Sequence, residues 1–176
     1  PYVNLRSLYT RIGNYSQAIR YLEEAVKREP NSLKAHYNLG LVYEIVDRYP
    51  DAVSEYRKVA LLNPDNPDIF YNLGWALIES EKYIEALVPL KKAISLNQKN
   101  TDAYYSLGWV YGELKRYEEA VVALEETLLI DPKHLEAGTR LNTMRNHLQG
   151  VTAKRPDQTL TATSILHDKS EIIVTP

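Results

Sequence analysis

The chain of 176 residues contains no cysteine. That excludes a disulfide framework, a thiol nucleophile and a cysteine-ligated metal centre. It fits a reducing, cytoplasmic compartment, with the periplasm left open as an alternative. No apolar run approaches the ~20 residues that a bilayer-spanning helix needs, so membrane insertion is not expected. An excess of one charge is also missing. Lys and Arg number 21 and Asp and Glu 23, for a formal net charge of −2. A charge so close to neutral gives no electrostatic ground for DNA, RNA or an anionic membrane as the main partner. Phenylalanine and methionine occur once each and tryptophan twice, against fourteen tyrosines. Tyrosine suits semi-buried positions, where the ring packs and the hydroxyl reaches water. With 44% hydrophobic and 25% charged residues, the composition is that of a protein with a packed core.

What is present in abundance is repetition. Asn38-Leu39-Gly40-Leu41, Asn72-Leu73-Gly74-Trp75 and Ser106-Leu107-Gly108-Trp109 stand thirty-four residues apart, with a fainter copy at Asn4-Leu5-Arg6-Ser7. A fixed period of this length marks a repeat array. Other columns share it: Tyr15, Tyr49, Tyr83 and Tyr117; Ala18, Ala52, Ala86 and Ala120; Leu22, Tyr56, Leu90 and Leu124. Pro30, Pro64 and Pro132 close the units, and Gln98 stands where a further proline would fall. Pro1 lies inside the pattern, which places the start of the first unit about two residues upstream.

Inside each unit the apolar residues recur at helical spacing. Phe70, Leu73, Gly74 and Leu77 form one i, i+3, i+4, i+7 stripe, and Tyr83, Ala86, Leu87, Leu90, Ala93 and Ile94 form a second. The short polar Glu79-Ser80-Glu81-Lys82 between them suits a tight turn joining antiparallel helices. A mid-helix glycine costs roughly 1 kcal/mol relative to alanine. Gly74 therefore reads as a point of close helix approach opposite Ala86. No strand and no glycine-rich loop accompany it to suggest phosphate binding. Pro50 falls in a first helical turn, where its missing N–H is harmless. Pro89 lies about two turns into its helix and should kink it or lose one hydrogen bond, and a local bend of the helix is expected there.

This pattern of aromatic, Leu-Gly, Tyr, Ala, Leu/Tyr and Pro signposts resembles the tetratricopeptide repeat (TPR) family. The resemblance covers about Tyr2 to Lys133. It implies an all-α, right-handed superhelix of antiparallel helix pairs. A TPR domain is expected over 1–148, with a truncated repeat at 1–32 and full repeats at 33–66, 67–100 and 101–134. In the truncated repeat Arg6 replaces the glycine, which questions the tightness of its helix pair. Residues 135–148 keep a stripe (Leu135, Leu141, Met144 or Leu148) and a polar face with Arg140, Arg145, Asn146 and His147. Such a segment reads as a terminal capping helix. Residues 149–176 leave the period, carry no aromatic and end in a β-prone run. They are expected to form an irregular tail, flexible or docked on its own helices or on a neighbour.

No residue set suggests catalysis, a metal or a cofactor. His36, His134, His147 and His167 fall in different units without metal-type pairing. His36 takes the aromatic slot of Phe70 and Tyr104, which points to a packing role. Glu23-Glu24, Glu118-Glu119 and Glu125-Glu126 read as solvated faces. Asn14-Tyr15-Ser16 is a lone match to a loose glycosylation sequon.

The candidate functional surface is the face of each first helix turned away from the packing stripe. In the third unit Asp68, Tyr71, Asn72, Trp75, Ile78 and Glu79 project together. Lys34, Tyr37, Asn38, Leu41, Glu44 and Ile45 match them in the second unit. Asp102, Tyr105, Ser106, Trp109, Gly112 and Glu113 match them in the fourth. By the resemblance, this face lines a groove that binds peptides, with Asn38 and Asn72 on the peptide backbone. Trp75 and Trp109, aided by Tyr37, Tyr71 and Tyr105, have the character of binding anchors. They have a packing role, repeat on repeat, as the alternative. Family members that clamp a terminal carboxylate do so with Lys and Arg; here those places are acidic, aromatic or neutral except for Lys34. The expected ligand therefore has apolar anchors and some positive charge. The sequence reads as a non-catalytic interaction scaffold or adaptor. Two alternatives are a homo-oligomeric scaffold joined through repeat ends or tail, and a substrate-selecting arm of a larger enzyme.

Overall fold

A computed structural model describes residues 15–153, with side chains described through 150. Eight helices and no strand occur among the described residues. They are α1 (Tyr15–Arg28), α2 (Leu33–Ile45), α3 (Tyr49–Leu62), α4 (Pro67–Glu79), α5 (Tyr83–Leu96), α6 (Thr101–Glu113), α7 (Tyr117–Ile130) and α8 (Leu135–Ala153). Each packs on its sequence neighbours, and α4 also meets α6 as α6 meets α8. The first helices of successive pairs thus adjoin and build one continuous face, the arrangement of a TPR-type solenoid.

The turn inside each pair is one device used three times. Asp47, Glu81 and Lys115, thirty-four residues apart, adopt left-handed backbone with φ of 56°, 57° and 58°. The next N–H then reaches back to the helix: Arg48 to Tyr43 O at 2.8 Å, Lys82 to Leu77 O at 2.9 Å and Arg116 to Tyr111 O at 2.8 Å. Those bonds satisfy carbonyls that the helix end would otherwise leave open. The linkers between units feed side-chain caps. Asn66 Oδ1 accepts from the Asp68 N–H at 3.0 Å, and Asn100 Oδ1 from the Ala103 N–H at 2.9 Å.

The glycine column is where the helices of a pair close on each other. A Cβ on Gly40 would stand 2.7 Å from the Tyr56 ring, one on Gly74 2.6 Å from Leu90, and one on Gly108 2.7 Å from Leu124. Tyr56, Leu90 and Leu124 are all fully buried. The glycine therefore makes room for this bulky side chain. Ala86, the other small residue expected at the crossing, is buried as well, and the atoms nearest a Cβ on Gly74 belong to Leu90.

Pro50 lies in the first turn of α3, and Pro89 lies within α5, which runs unbroken from Tyr83 to Leu96. No break occurs at Pro89. Without an N–H it leaves one i→i−4 bond unmade, and its buried ring sits on the core side. The terminal helix differs from expectation at both ends. Leu141 and Met144 are buried as expected, while Leu135 is 82% exposed and Ala137 takes the core position. The helix also runs past 148 to Ala153. The truncated first unit through residue 14 and the rest of the tail lie outside the described residues.

His36 departs from a simple packing role. It is buried at 2% exposure, but both ring nitrogens face acceptors: Nδ1 lies 2.5 Å from Glu55 Oε2 and Nε2 2.8 Å from Pro30 O. Glu55, itself buried, also accepts from Lys58 Nζ at 3.0 Å. This buried polar group ties α2, α3 and the α1–α2 linker together.

Candidate functional site

A groove of about 1140 Å³ opens along α2 and α4 and the start of α6. Its apolar wall is made by Tyr37, Leu41, Ile45, Tyr71 and Trp75. These positions share one face because they repeat at i, i+4 and i+8 on α2 and at i and i+4 on α4, helices set side by side. Glu44, Asp68, Asp102 and Asp131 bring four carboxylates to the same cavity, against Lys99 as its one lysine. A cleft that joins aromatic faces to excess carboxylate favours a cation with an apolar stem.

Several lining side chains are held in place. The Asn72 amide donates from Nδ2 to the Tyr37 hydroxyl at 2.9 Å, across adjacent helices. Its carbonyl oxygen is left to accept from another group. The Tyr37 ring tilts against Tyr56 with centroids 5.9 Å apart. Burial, with the Asp102 charge adding, pushes the Tyr71 hydroxyl up to about 12. Tyr71 therefore stays a neutral hydroxyl group at physiological pH. Below the groove wall, burial raises the Tyr56 hydroxyl well above the ordinary tyrosine range, and the neighbouring Glu44 carboxylate raises it further. Glu44 thus serves both the groove and the core.

The candidate residues divide into three groups by position. Tyr37, Leu41, Glu44, Asp68, Tyr71, Asn72, Trp75 and Asp102 line the groove. Lys34 is exposed in the first turn of α2, while Asn38 and Glu79 are half-buried outside the cavity wall. Tyr105, Trp109 and Glu113 belong to a separate cluster under α8. The Tyr105 ring lies 4.7 Å from the His134 ring. Trp109 packs against Trp75 with centroids 6.0 Å apart and donates from Nε1 to Glu113 Oε1 at 3.0 Å. Arg140 of α8 sits over Trp109, 5.5 Å from the ring centroid, with Nη1 3.8 Å from Glu113 Oε1.

Part of the groove rim has no counterpart among the sequence candidates. Asn97, Lys99, Asn100, Asp131 and His134 come from the linkers that precede α6 and α8, and Thr101 is the first residue of α6. The period held the signal, since Asn97 and Asp131 occupy one column and Asn100 and His134 another. Among the described residues no cluster of His, Cys, Asp and Glu could hold a metal, and no helix is long and apolar enough to cross a membrane.

Repeated helix pairs, a glycine column and a groove along the first helices define a helical-repeat binding module. Matches to family models described as tetratricopeptide repeat cover residues 7–67, 55–88 and 101–134, and one described as TPR repeat covers 76–115. Together they run without a break from 7 to 134, and the chain belongs to the tetratricopeptide repeat family. No curated protein sequence gives a significant match. Among solved structures it is similar to MamA 41-end from Desulfovibrio magneticus RS-1, with 26% identity and a TM-score of 0.73. That likeness covers 87% of this chain and 88% of the other. It is similar to YrrB, described as a TPR protein with an unusual peptide-binding site, at 25% identity and a TM-score of 0.73, over 85% and 77% of the two chains. It is also similar to the first TPR of Spaghetti (RPAP3) bound to the HSP90 peptide SRMEEVD. There the identity is 26% and the TM-score 0.64, over 66% and 93%. The fold and these likenesses support a protein-binding scaffold, in a family that is typically non-catalytic.

Proposed function

We propose that the chain is a non-catalytic adaptor whose TPR domain, spanning 1–148, holds an extended peptide in the groove along α2 and α4. The peptide carries at least one basic side chain and one apolar anchor. The observation that carries this reading is the wall itself: Trp75, Tyr71, Tyr37 and Leu41 share one cavity with Glu44, Asp68, Asp102 and Asp131. Trp75 takes the apolar anchor and the carboxylates take the basic group. Asn72, tied to Tyr37 by its amide, presents its carbonyl oxygen to a peptide N–H. Asn38, outside the cavity wall on α2, and Trp109, packed on Trp75, extend the proposed path beyond the cavity. The peptide SRMEEVD carried by the Spaghetti TPR is acidic at its C-terminal end. A groove dominated by carboxylates selects the opposite charge.

The test is a panel of peptides varied in charge and aromatic content, bound to the full chain and to Trp75→Ala. Basic peptides with an apolar residue bind the full chain, and Trp75→Ala weakens them by about 30-fold, the loss typical of a buried aromatic anchor. Unchanged affinity in a variant whose helix content and unfolding midpoint match the parent defeats the reading.

A further inference from the structure

We infer that Trp109 is a guanidinium subsite of the groove, filled in the free chain by Arg140 and taken over by an arginine side chain of the bound peptide. This rests on the peptide-binding reading and adds to it a residue type and a position.

The arrangement contains what a cation site needs. The Trp109 ring offers an aromatic face, and Glu113 accepts its indole N–H at 3.0 Å. A carboxylate on the N–H edge pushes electron density into the ring and strengthens its attraction for a cation. Arg140 then supplies the cation, 5.5 Å from the ring centroid. Arg140 stands in the column that holds Asn72 and Ser106 in earlier units, so the cation comes from one departure from the repeat. Next to this cluster Trp75 lines the main groove, with its ring centroid 6.0 Å from that of Trp109.

Two features make Arg140 displaceable. Its only described carboxylate partner, Glu113, lies at 3.8 Å, beyond hydrogen-bond distance, and both side chains reach solvent at 29% and 43% exposure. Ion pairs of that kind contribute little. Arg140 also forms one wall of a second cavity of about 480 Å³, with Tyr105, Glu136, Thr139 and Met144 among the others. A side chain entering there finds room beside Glu136 for its charge. Arginine fits better than lysine, because a planar guanidinium stacks on indole and is more weakly hydrated than an ammonium.

The test uses fluorescein-labelled hexa-arginine and hexa-lysine peptides, each extended by one leucine as the apolar anchor, measured by anisotropy at physiological salt. The proteins are the full chain, Arg140→Ala, Arg140→Gln, Trp109→Ala and the Arg140→Ala/Trp109→Ala double variant. Removing Arg140 by either substitution tightens hexa-arginine about 5-fold, with a smaller gain for hexa-lysine. The gain vanishes in the double variant. If Arg140→Ala and Arg140→Gln bind hexa-arginine no tighter than the parent, the subsite is refuted while parental binding keeps the groove reading alive. A gain that persists without Trp109 reflects net charge alone and also refutes it. Failure of every protein to bind either peptide overturns the basic-peptide reading together with the subsite.

Discussion

Replacing Gly74 with alanine sets two opposed effects of known size against each other. Alanine gains about 1 kcal/mol over glycine inside a helix. At position 74, however, the new Cβ would stand 2.6 Å from Leu90 Cδ2 and 2.7 Å from Leu90 Cγ. Leu90 is fully buried, so its side chain has no open space to enter. Overpacking of this kind costs about 1–3 kcal/mol. The close distances to two carbons put this case at the upper end, so Gly74→Ala should lose about 1–2 kcal/mol net. Gly138 supplies the control within the same chain, since a Cβ there meets nothing within 4 Å. Gly138→Ala should therefore stabilise by up to about 1 kcal/mol. Urea unfolding followed by circular dichroism and by Trp75 and Trp109 fluorescence measures both. A third variant isolates the contact. In a Leu90→Ala background the clash is gone, and Gly74→Ala should change sign and stabilise by about 1 kcal/mol. If Gly74→Ala stabilises the parent as much as Gly138→Ala does, the claim that Leu90 needs that space is wrong.

Two further outcomes follow from local geometry. His36→Phe places an aromatic in a slot that Phe70 and Tyr104 fill elsewhere, yet it leaves buried Glu55 without its imidazole partner. It should cost about 3 kcal/mol, and adding Glu55→Leu should recover most of that loss in the same urea assay. A double variant as unstable as His36→Phe would show that the ring and not the pairing matters. At the left-handed turn residue Lys115, glycine removes a steric cost of about 1–2 kcal/mol and loosens the unfolded chain, for a net gain near 0.5 kcal/mol. Thermal unfolding should shift up by about 2 °C, and a downward shift would contradict the turn assignment.

The helix pairs, their order and the buried Ala and Leu columns were legible because a thirty-four-residue period repeats each instruction several times. Helical spacing placed Asn72 and Trp75 on one face, because one turn of a helix fixes which residues share a face, and the family resemblance turned that face toward a groove. Other features needed three dimensions. Spacing shows that Gly74 is tight but cannot say whether Ala86 or Leu90 fills the gap, since both lie on the facing stripe. Trp109 shares the column of Trp75, yet α8 covers it, and the period says nothing about a helix that has left the repeat. The rim residues Asn100 and Asp131 come from linkers, where helical periodicity gives no direction. Leu135 looked like the start of the apolar stripe, but α8 places Ala137 inward and leaves Leu135 in solvent.

Where the period is kept, a residue builds the array; where it is broken inside the core, the broken positions meet one another. Tyr56 stands in a column that otherwise holds leucine, and its hydroxyl lies beside Glu44, whose column continues as Ile78 and Gly112. His36 stands in the column of Phe70 and Tyr104, and its partner Glu55 in that of Pro89 and Ala123. Arg140 replaces Asn72 and Ser106, and it lies over Trp109, where α2 has Leu41. A polar group inside or against an apolar lattice is costly unless a partner is supplied with it. In the two buried cases that partner is a second departure from the repeat, whereas Trp109 keeps the residue of its column, Trp75. Two of the pairs fix the α2–α3 unit, and their joint removal should be tolerated better than the loss of one member. The Trp109–Arg140 pair differs because it is partly exposed and loosely joined, which leaves it free to exchange its cation for a ligand's. By this reasoning the exposed, weakly held departure from the repeat is the one available for binding, and the buried pairs specify the fold.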